Sequence, residues 1–326
     1  MNIASIANAV QIPPVLLASE QDRNQLTRAR SRGALVRIRR GAYCEPGAVQ
    51  IAGPSSAPRE KRNKELARAR ALHSQLRSDH VFGYTTAALL LGCLVWTVPD
   101  TTHVYQRYRA SGRSAKDVAR HRGAVPPEEI VLVEGLPVTS LVRTVVDCAM
   151  GLHPLEALVI ADSALALDAD RPAMLKLLAV RAGQRGVRRA QIVIELADDG
   201  SRSAWETWVR YEILRAGLPR PTTQMPVQTD RRCFHTDLGY EQWALGIEFD
   251  GLVKYRRDGV RPGHDPAQEY MDEKARAEAI RRAGVTIERA NASDKRDVPA
   301  MIARFAQHLP ADVVRTARIN PYLPPI

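Results

Sequence analysis

Apolar residues in the first part of the sequence recur at the spacing of amphipathic helices. Ile3, Ile6 and Val10 lie three or four positions apart and predict a first helix. Pro13 and Pro14 interrupt that pattern. Further helices are predicted over residues 15–19 and 22–31, so this part of the sequence is expected to be largely helical.

A strand pattern replaces the helical pattern after Gly33, the expected C-terminal stop of the last of these helices. Leu35–Ile38 alternates apolar residues with arginine, Gly41 supplies a turn, and Ala42–Cys44 returns. Helices followed by a strand, a basic turn and a second strand are typical of a winged helix-turn-helix. We expect such a DNA-binding domain over residues 1–55.

Residues 56–198 alternate helical and strand patterns and are predicted to form an α/β connector. The predicted helices are Pro58–Arg77, Thr85–Leu91 and Arg171–Leu196, and the predicted strands are Thr102–Tyr105, Ile130–Val133 and Leu136–Val138. Ser140, Asp147 and His153 are the residue types of a catalytic triad. No nucleophile turn surrounds the serine, so we expect structural roles for these residues.

Acidic residues are interspersed with apolar ones between Asp237 and Lys254, where the sequence reads DLGYEQWALGIEFDGLVK. On a strand, Glu248 and Asp250 point to the same face. A turn over residues 239–242 brings Asp237 beside them at one end of a hairpin. Like charges this close repel unless a proton or a cation neutralises them, and Mg²⁺ (or Mn²⁺) suits oxygen ligands. The alternative interpretation is a half-buried strand with a solvated face.

Four segments between Ser203 and Arg289 resemble the very-short-patch-repair-like branch of the PD-(D/E)XK nuclease superfamily. In chain order they read SAWETWVRYEILRAGLPRPTTQ, HTDLG, IEFDGLVKY and EKARAEAIRRAGVTIER. The family pattern is a Ser-x-x-Glu helix, a lone Asp on a strand, Glu-x-Asp-Gly-x-x-His on the next strand, and a later helix and strand with arginines. The resemblance implies metal-dependent endonuclease activity on DNA.

The same resemblance implies a fold and a set of site residues. The fold is a restriction-endonuclease-like mixed sheet flanked by helices over residues 199–310, followed by a tail over residues 311–326. Carried over by position, it implies catalytic roles for Glu206, Asp237, Glu248, Asp250 and Lys254, metal coordination by Asp237, Glu248 and Asp250, and DNA binding by Arg276 and Arg289.

Two positions depart from the family pattern. Lys254 stands where the family usually has His, and Asp250 stands where the superfamily usually has the Lys two residues after the Glu. Glu206 also has a second interpretation, because Ser203 and Glu206 have the spacing of a helix capping box. The sequence therefore leaves open a non-catalytic, antitoxin-like transcriptional regulator with a degenerate nuclease fold, and a protein-interaction scaffold.

A basic surplus accompanies these motifs. The formal net charge is +11, which favours a polyanionic partner, and DNA over a membrane. An arginine-rich composition is equally typical of a high-GC genome. Seven arginines in the predicted helix and hairpin are expected to contact DNA phosphates: Arg23, Arg28, Arg30, Arg32, Arg37, Arg39 and Arg40. The alternative is a solvated basic helix used for packing or protein contact.

A second resemblance concerns the same part of the sequence. The segment NQLTRARSRGALVRIRRGAYCEP is similar to the N-terminal domain of AbiEi-type antitoxins, and LVRIRRGAY is its most specific stretch. This resemblance implies DNA binding and transcriptional autoregulation. It also implies a partner, which would be a cognate toxin or another component of a defence system.

Cysteine usage and hydropathy indicate a cytoplasmic protein. The four cysteines are scattered without a C-x-x-C pair, so we expect reduced thiols and neither a zinc knuckle nor a disulfide framework. The longest apolar run, Ala87–Val98, is much shorter than the ~20 residues of a membrane-spanning helix. The first apolar residues lack the basic flank of a signal peptide. We expect no membrane association.

Overall fold

The computed structural model describes residues 10–50, 56–108, 115–230, 232–250 and 266–326. Within these ranges the chain forms helices and three sheets, two of them mixed, so the predicted α/β class with mixed sheets flanked by helices is confirmed. The chain divides into two compact units, Met1–Leu196 and Ala197–Ile326. Lys254 and most of the predicted first helix lie outside the described residues.

The first unit begins with a small antiparallel sheet, whose strands lie in the order β1-β3-β2. Its elements are β1 (Leu16–Leu17), α1 (Arg23–Ser31), β2 (Val36–Arg39), β3 (Ala42–Cys44) and α2 (Pro46–Val49), and α3 (Ser56–Gln75) follows. The helix predicted over residues 15–19 is wrong at Leu16 and Leu17, which form a strand, pair with β3 and bury Leu17. A single 3-10 turn follows at Ala18–Glu20.

Helix α1 begins and ends at the predicted signals. The Asp22 side chain accepts a hydrogen bond from the Gln25 amide at 2.8 Å, and Gly33 after the helix adopts a left-handed φ of +71°. The small sheet packs on α3, since Ala67 contacts Ile38 in one apolar cluster. These contacts fix the hairpin on the longest helix of the first unit.

A five-stranded mixed sheet forms the centre of the first unit, with strand order β6-β5-β4-β8-β7. Its strands, with one helix between them, are β4 (Val81–Phe82), α4 (Tyr84–Leu90), β5 (Thr102–Gln106), β6 (Val118–Arg122), β7 (Ile130–Val133) and β8 (Leu136–Thr139). Phe82, Val104 and Val138 from the sheet are fully buried with Leu72 and Leu90 from α3 and α4. The predicted strands of the connector are therefore confirmed.

Four further helices lie in the described part of the first unit. They are α5 (Leu141–Gly151), α6 (Pro154–Leu165), α7 (Arg171–Ala179) and α8 (Val187–Leu196). The helical pattern predicted over residues 171–196 is interrupted at the two expected glycines, Gly183 and Gly186. Both have positive φ, and a Cβ on Gly186 would lie only 2.3 Å from the Met150 carbonyl oxygen.

The described part of the second unit runs from one helix through three antiparallel strands, a further helix and a parallel fourth strand to two short helices. Its elements are α9 (Ala204–Arg215), β9 (Thr222–Gln228), β10 (Cys233–Tyr240), β11 (Leu245–Asp250), α10 (Pro266–Arg282), β12 (Thr286–Asn291), α11 (Val298–Ala306) and α12 (Ala311–Thr316). The sheet order is β12-β11-β10-β9, with β12 parallel to β11. The strands carrying Asp237, Glu248 and Asp250 are thus neighbours near the centre of the sheet.

The turn between β10 and β11 lies at Glu241–Ala244 and not at the predicted 239–242. Gly239 and Gly246 instead face each other within the two strands. A Cβ on Gly239 would lie 2.5 Å from the Met225 sulfur, so this glycine serves close packing and not a turn. The left-handed residue of the actual turn is Ala244, with φ of +48°.

The last residues of the chain pack against α9. The Tyr211 hydroxyl donates to the Pro324 carbonyl at 2.6 Å, and the Asn320 amide donates to the Arg215 carbonyl at 2.9 Å. Leu323 is buried. The predicted tail therefore belongs to the structured second unit.

None of the helices in the described ranges is both long and apolar enough to cross a membrane.

Candidate nucleic-acid and metal site

Glu206 lies in the first turn of α9, where it has a capping role. The Ser203 hydroxyl accepts from the Glu206 amide at 3.1 Å, and the Glu206 carboxylate accepts from the Arg202 amide at 2.8 Å. Burial raises the pKa of Glu206, the Arg202 hydrogen bond lowers it, and the charge of Asp237 raises it further. Glu206 is therefore both a helix cap and an electrostatic neighbour of Asp237.

Asp237 lies at the point where the ladder between β10 and β11 ends. The last paired residues are Leu238 and Ile247. One position further, an Asp237 carboxylate oxygen accepts a hydrogen bond from the Phe249 amide at 2.8 Å. The side chain of one strand thus holds the backbone of the other between its two acids, Glu248 and Asp250.

The two sides of β11 contact different helices. The Phe249 ring stacks on Trp205 of α9, with centroids 4.9 Å apart and ring planes inclined by 10°. Because side chains alternate along a strand, Glu248 and Asp250 point to the opposite side, as predicted. There they meet arginines from α10 and β12, Arg276 and Arg289.

Five charged residues on this side of the sheet form a continuous chain of ion pairs. Glu248 pairs with Arg276 at 2.5 Å, and Asp250 pairs with Arg289 at 3.0 Å. Glu273 on α10 lies between the two arginines, 3.5 Å from Arg276 and 3.2 Å from Arg289. Burial lowers the pKa of Arg276, but the pairs with Glu248 and Glu273 outweigh burial and raise it overall.

A cleft of about 310 Å³ opens beside this chain of ion pairs. Its charged lining includes Glu248, Glu273, Arg276 and Arg289, and its apolar lining includes Ile280. With Arg281, the cleft therefore presents three guanidinium groups and two carboxylates at one opening. Glu273 was not identified from the sequence; its position three residues before Arg276 on α10 was the available signal.

Two of the predicted acids, Glu206 and Asp237, are electrostatic neighbours, whereas Glu248 and Asp250 each pair with an arginine. Within the described ranges, no three His, Cys, Asp or Glu side chains converge closely enough to hold a metal ion. Arginines neutralise the two acids of β11, and metal coordination by Asp237, Glu248 and Asp250 stays a prediction. Lys254 lies outside the described residues.

In the first unit, six of the seven predicted DNA-contacting arginines are exposed. They are Arg23, Arg28, Arg30, Arg32, Arg37 and Arg40. Arg39 is the exception, since its side chain is only 7% exposed. It pairs at 3.1 Å with Asp117, the residue that precedes β6. Burial lowers the pKa of Arg39, and the Asp117 pair opposes that effect. Arg39 is therefore a structural residue and leaves the predicted DNA surface.

The triad residue types of the connector have structural roles, as expected. The Ser140 hydroxyl caps α5 and the His153 ring caps α6. Asp147 is 2% exposed and pairs with Arg143 at 2.8 Å and Arg181 at 2.6 Å. It also accepts a hydrogen bond from the Tyr105 hydroxyl at 2.7 Å, which the sequence did not reveal because the two residues lie 42 positions apart.

Known proteins offer limited comparison. No family model matches the chain. Two uncharacterized proteins of Mycobacterium tuberculosis, MT2308 of strain CDC 1551 / Oshkosh and Rv2248 of strain H37Rv, are each 27% identical over 180 residues. The match covers 54% of this chain and 63% of each relative, so the chain spans under two thirds of their length. The crystal structure of the RV2827C protein from Mycobacterium tuberculosis is 16% identical, covering 59% of this chain and 74% of that chain, with a TM-score of 0.35.

Proposed function

We propose that this chain is a DNA-binding protein whose second unit hydrolyses DNA phosphodiester bonds with Mg²⁺ or Mn²⁺. The observation that carries the proposal is the hydrogen bond from the Phe249 amide to Asp237, because Phe249 stands between Glu248 and Asp250. Since Asp237 also acts electrostatically on Glu206, all four predicted acids lie at one end of two neighbouring strands.

The order of elements supports the same proposal. The resemblance implies one acid on a helix, one on a strand, two on the next strand, and arginines on a later helix and strand. In this chain those residues are Glu206 on α9, Asp237 on β10, Glu248 and Asp250 on β11, Arg276 on α10 and Arg289 on β12. All four sequence motifs therefore lie in the second unit, on the types of element that the resemblance implies.

The carboxylates of these acids are the type of ligand that magnesium prefers. The ion binds one or two carboxylates and completes its coordination shell with phosphate oxygens and waters. Asp237, Glu248 and Asp250 are the residues that would hold it. Bound there, the ion would polarise the scissile phosphate and lower the pKa of a water. Glu248 and Asp250 become available when Arg276 and Arg289 pair with another anion, and a DNA phosphate is such an anion.

Cleavage assays on plasmid, mismatched and single-stranded DNA with Mg²⁺ or Mn²⁺ test this function. Asp237→Asn and Glu248→Gln remove a charge but keep a hydrogen-bond acceptor, and Glu241→Gln in the exposed turn is the matched control. We expect cleavage by wild type and control, and a loss of about 100-fold or more in the two site variants. Equal cleavage by all four proteins would contradict the assigned site.

A second function is favoured by a separate observation. Glu248 and Asp250 are each neutralised by an arginine and need no metal ion for that, and guanidinium groups bind phosphate without hydrolysing it. In that case the chain is a non-catalytic, antitoxin-like regulator, with a cognate toxin or a defence-system component as its partner. Binding to the promoter of its own gene without metal, together with no cleavage of any substrate, would support this function over the first.

A further inference from the structure

Glu273 bridges the two arginines that are expected to contact DNA. Arg276 divides its terminal nitrogens between Glu248 and Glu273, at 2.5 Å and 3.5 Å. Arg289 divides its own between Asp250 and Glu273, at 3.0 Å and 3.2 Å. The Oε1 atom of Glu273 is the shared acceptor, so one carboxylate oxygen lies between two guanidinium groups.

The three acids of this chain of ion pairs differ in exposure. The side chains of Glu248 and Asp250 are 11% and 22% exposed, while that of Glu273 is 43% exposed and lines the cleft. An exposed ion pair contributes little, because water competes for both charges and the side chains lose rotamer freedom. Glu273 is therefore the member of the chain that another anion displaces at the lowest cost.

A phosphate group matches the position that Glu273 occupies. Both groups are oxyanions, and guanidinium groups bind carboxylate and phosphate with the same two-pronged geometry. Arg276 and Arg289 lie on different elements, α10 and β12, yet converge on one oxygen. A phosphate at this point would accept hydrogen bonds from both arginines and leave Glu273 to solvent.

We propose that Glu273 stands in for a DNA backbone phosphate in the free protein and is displaced when DNA binds. Glu273 thereby lowers the affinity of the second unit for the DNA backbone until a phosphate competes for its place. The inference rests on the proposed DNA binding of this unit and adds to it a residue that tunes affinity and the chemical group that replaces it.

Glu273→Gln, with Glu278→Gln as control, tests the proposal. Glu278 lies on the same helix, is 45% exposed, and pairs with Arg281 three positions later at 2.8 Å. Dissociation constants for a fluorescent duplex are measured by anisotropy in EDTA, so that cleavage does not interfere. We expect Glu273→Gln to bind about two- to fivefold more tightly than wild type, the range allowed by an exposed ion pair. Glu278→Gln should stay within experimental error.

The same gain should depend on the arginine that Glu273 occupies. In an Arg289→Gln background, adding Glu273→Gln should give a clearly smaller gain than in the wild-type background. Equal gains from Glu273→Gln and Glu278→Gln, or a gain that is independent of Arg289, would show a general charge effect and overturn the proposal. Wild-type binding without any gain in Glu273→Gln overturns this inference alone, whereas no binding by any variant overturns the proposed function as well.

Discussion

The Asp237 carboxylate and the Phe249 amide, 2.8 Å apart, hold β10 and β11 together beyond the last residues of their ladder. Asp237→Ala leaves the Phe249 amide without this acceptor, so we expect it to lower the free energy of unfolding by about 1–3 kcal/mol. Asp237→Asn keeps an acceptor and should cost clearly less. Urea denaturation followed by tryptophan fluorescence measures both, since Trp205 stacks on Phe249. Equal stability of the two variants would contradict this structural role.

The basic hairpin of the first unit divides into exposed and structural arginines. The double variant Arg37→Gln/Arg40→Gln should bind DNA more weakly. The slope of log K against log[salt] should also become shallower, by about 0.9 for each DNA phosphate that the variant no longer neutralises. Arg39→Gln should leave that slope unchanged. It should lower the free energy of unfolding, because it removes the ion pair with Asp117. An unchanged slope in the double variant, measured by anisotropy over a salt series, would count against the hairpin as a DNA-binding element.

Local signals in the sequence predicted local structure well. Asp22 caps α1, Ser203 caps α9, and the strands around Thr102, Ile130 and Leu136 form where their apolar residues predict them. These features depend on neighbours within a few positions, so the sequence contains the information that determines them. The common face of Glu248 and Asp250 follows from the same kind of local rule.

Features decided by distant partners could not be predicted. Leu16 and Leu17 form a strand because Ala42 and Tyr43 lie beside them. Arg39 pairs with Asp117, which lies 78 positions away in the sequence. Gly239 resembles a turn residue, but it lies within β10, where the Met225 side chain leaves no space for a Cβ. Acids on β11 were expected to share a cation, and the residues that neutralise them come from later elements of the chain.

Glu65 on α3 should make the first unit less stable as the pH rises. It is 1% exposed and accepts from the Thr86 hydroxyl, and burial raises its pKa to about 7. Between its ordinary pKa of 4.5 and 7, the folded state retains a proton that the unfolded state has released, so stability is lost over that window. Glu65→Gln keeps a hydrogen-bond acceptor. It should remove a decline in the free energy of unfolding of order 3 kcal/mol over this window. Glu60→Gln on the same helix is the control for urea denaturation at several pH values.

His103 should have the opposite effect, and it is linked to Glu65 through Thr86, whose hydroxyl accepts from the His103 amide at 2.9 Å. Burial, and then the neighbouring His121 ring, lower the pKa of His103 to about 4. Below its ordinary value of 6.5 the unfolded chain binds a proton that the folded chain excludes, so stability is lost as the pH falls from 6.5 toward 4.

Between pH 4.5 and 6.5 the effects of Glu65 and His103 on stability oppose each other. Glu65→Gln should therefore gain stability with rising pH in that window, and His103→Gln should lose it. Titration of the His103 ring by NMR checks the cause directly, since a midpoint near 6.5 would contradict the argument.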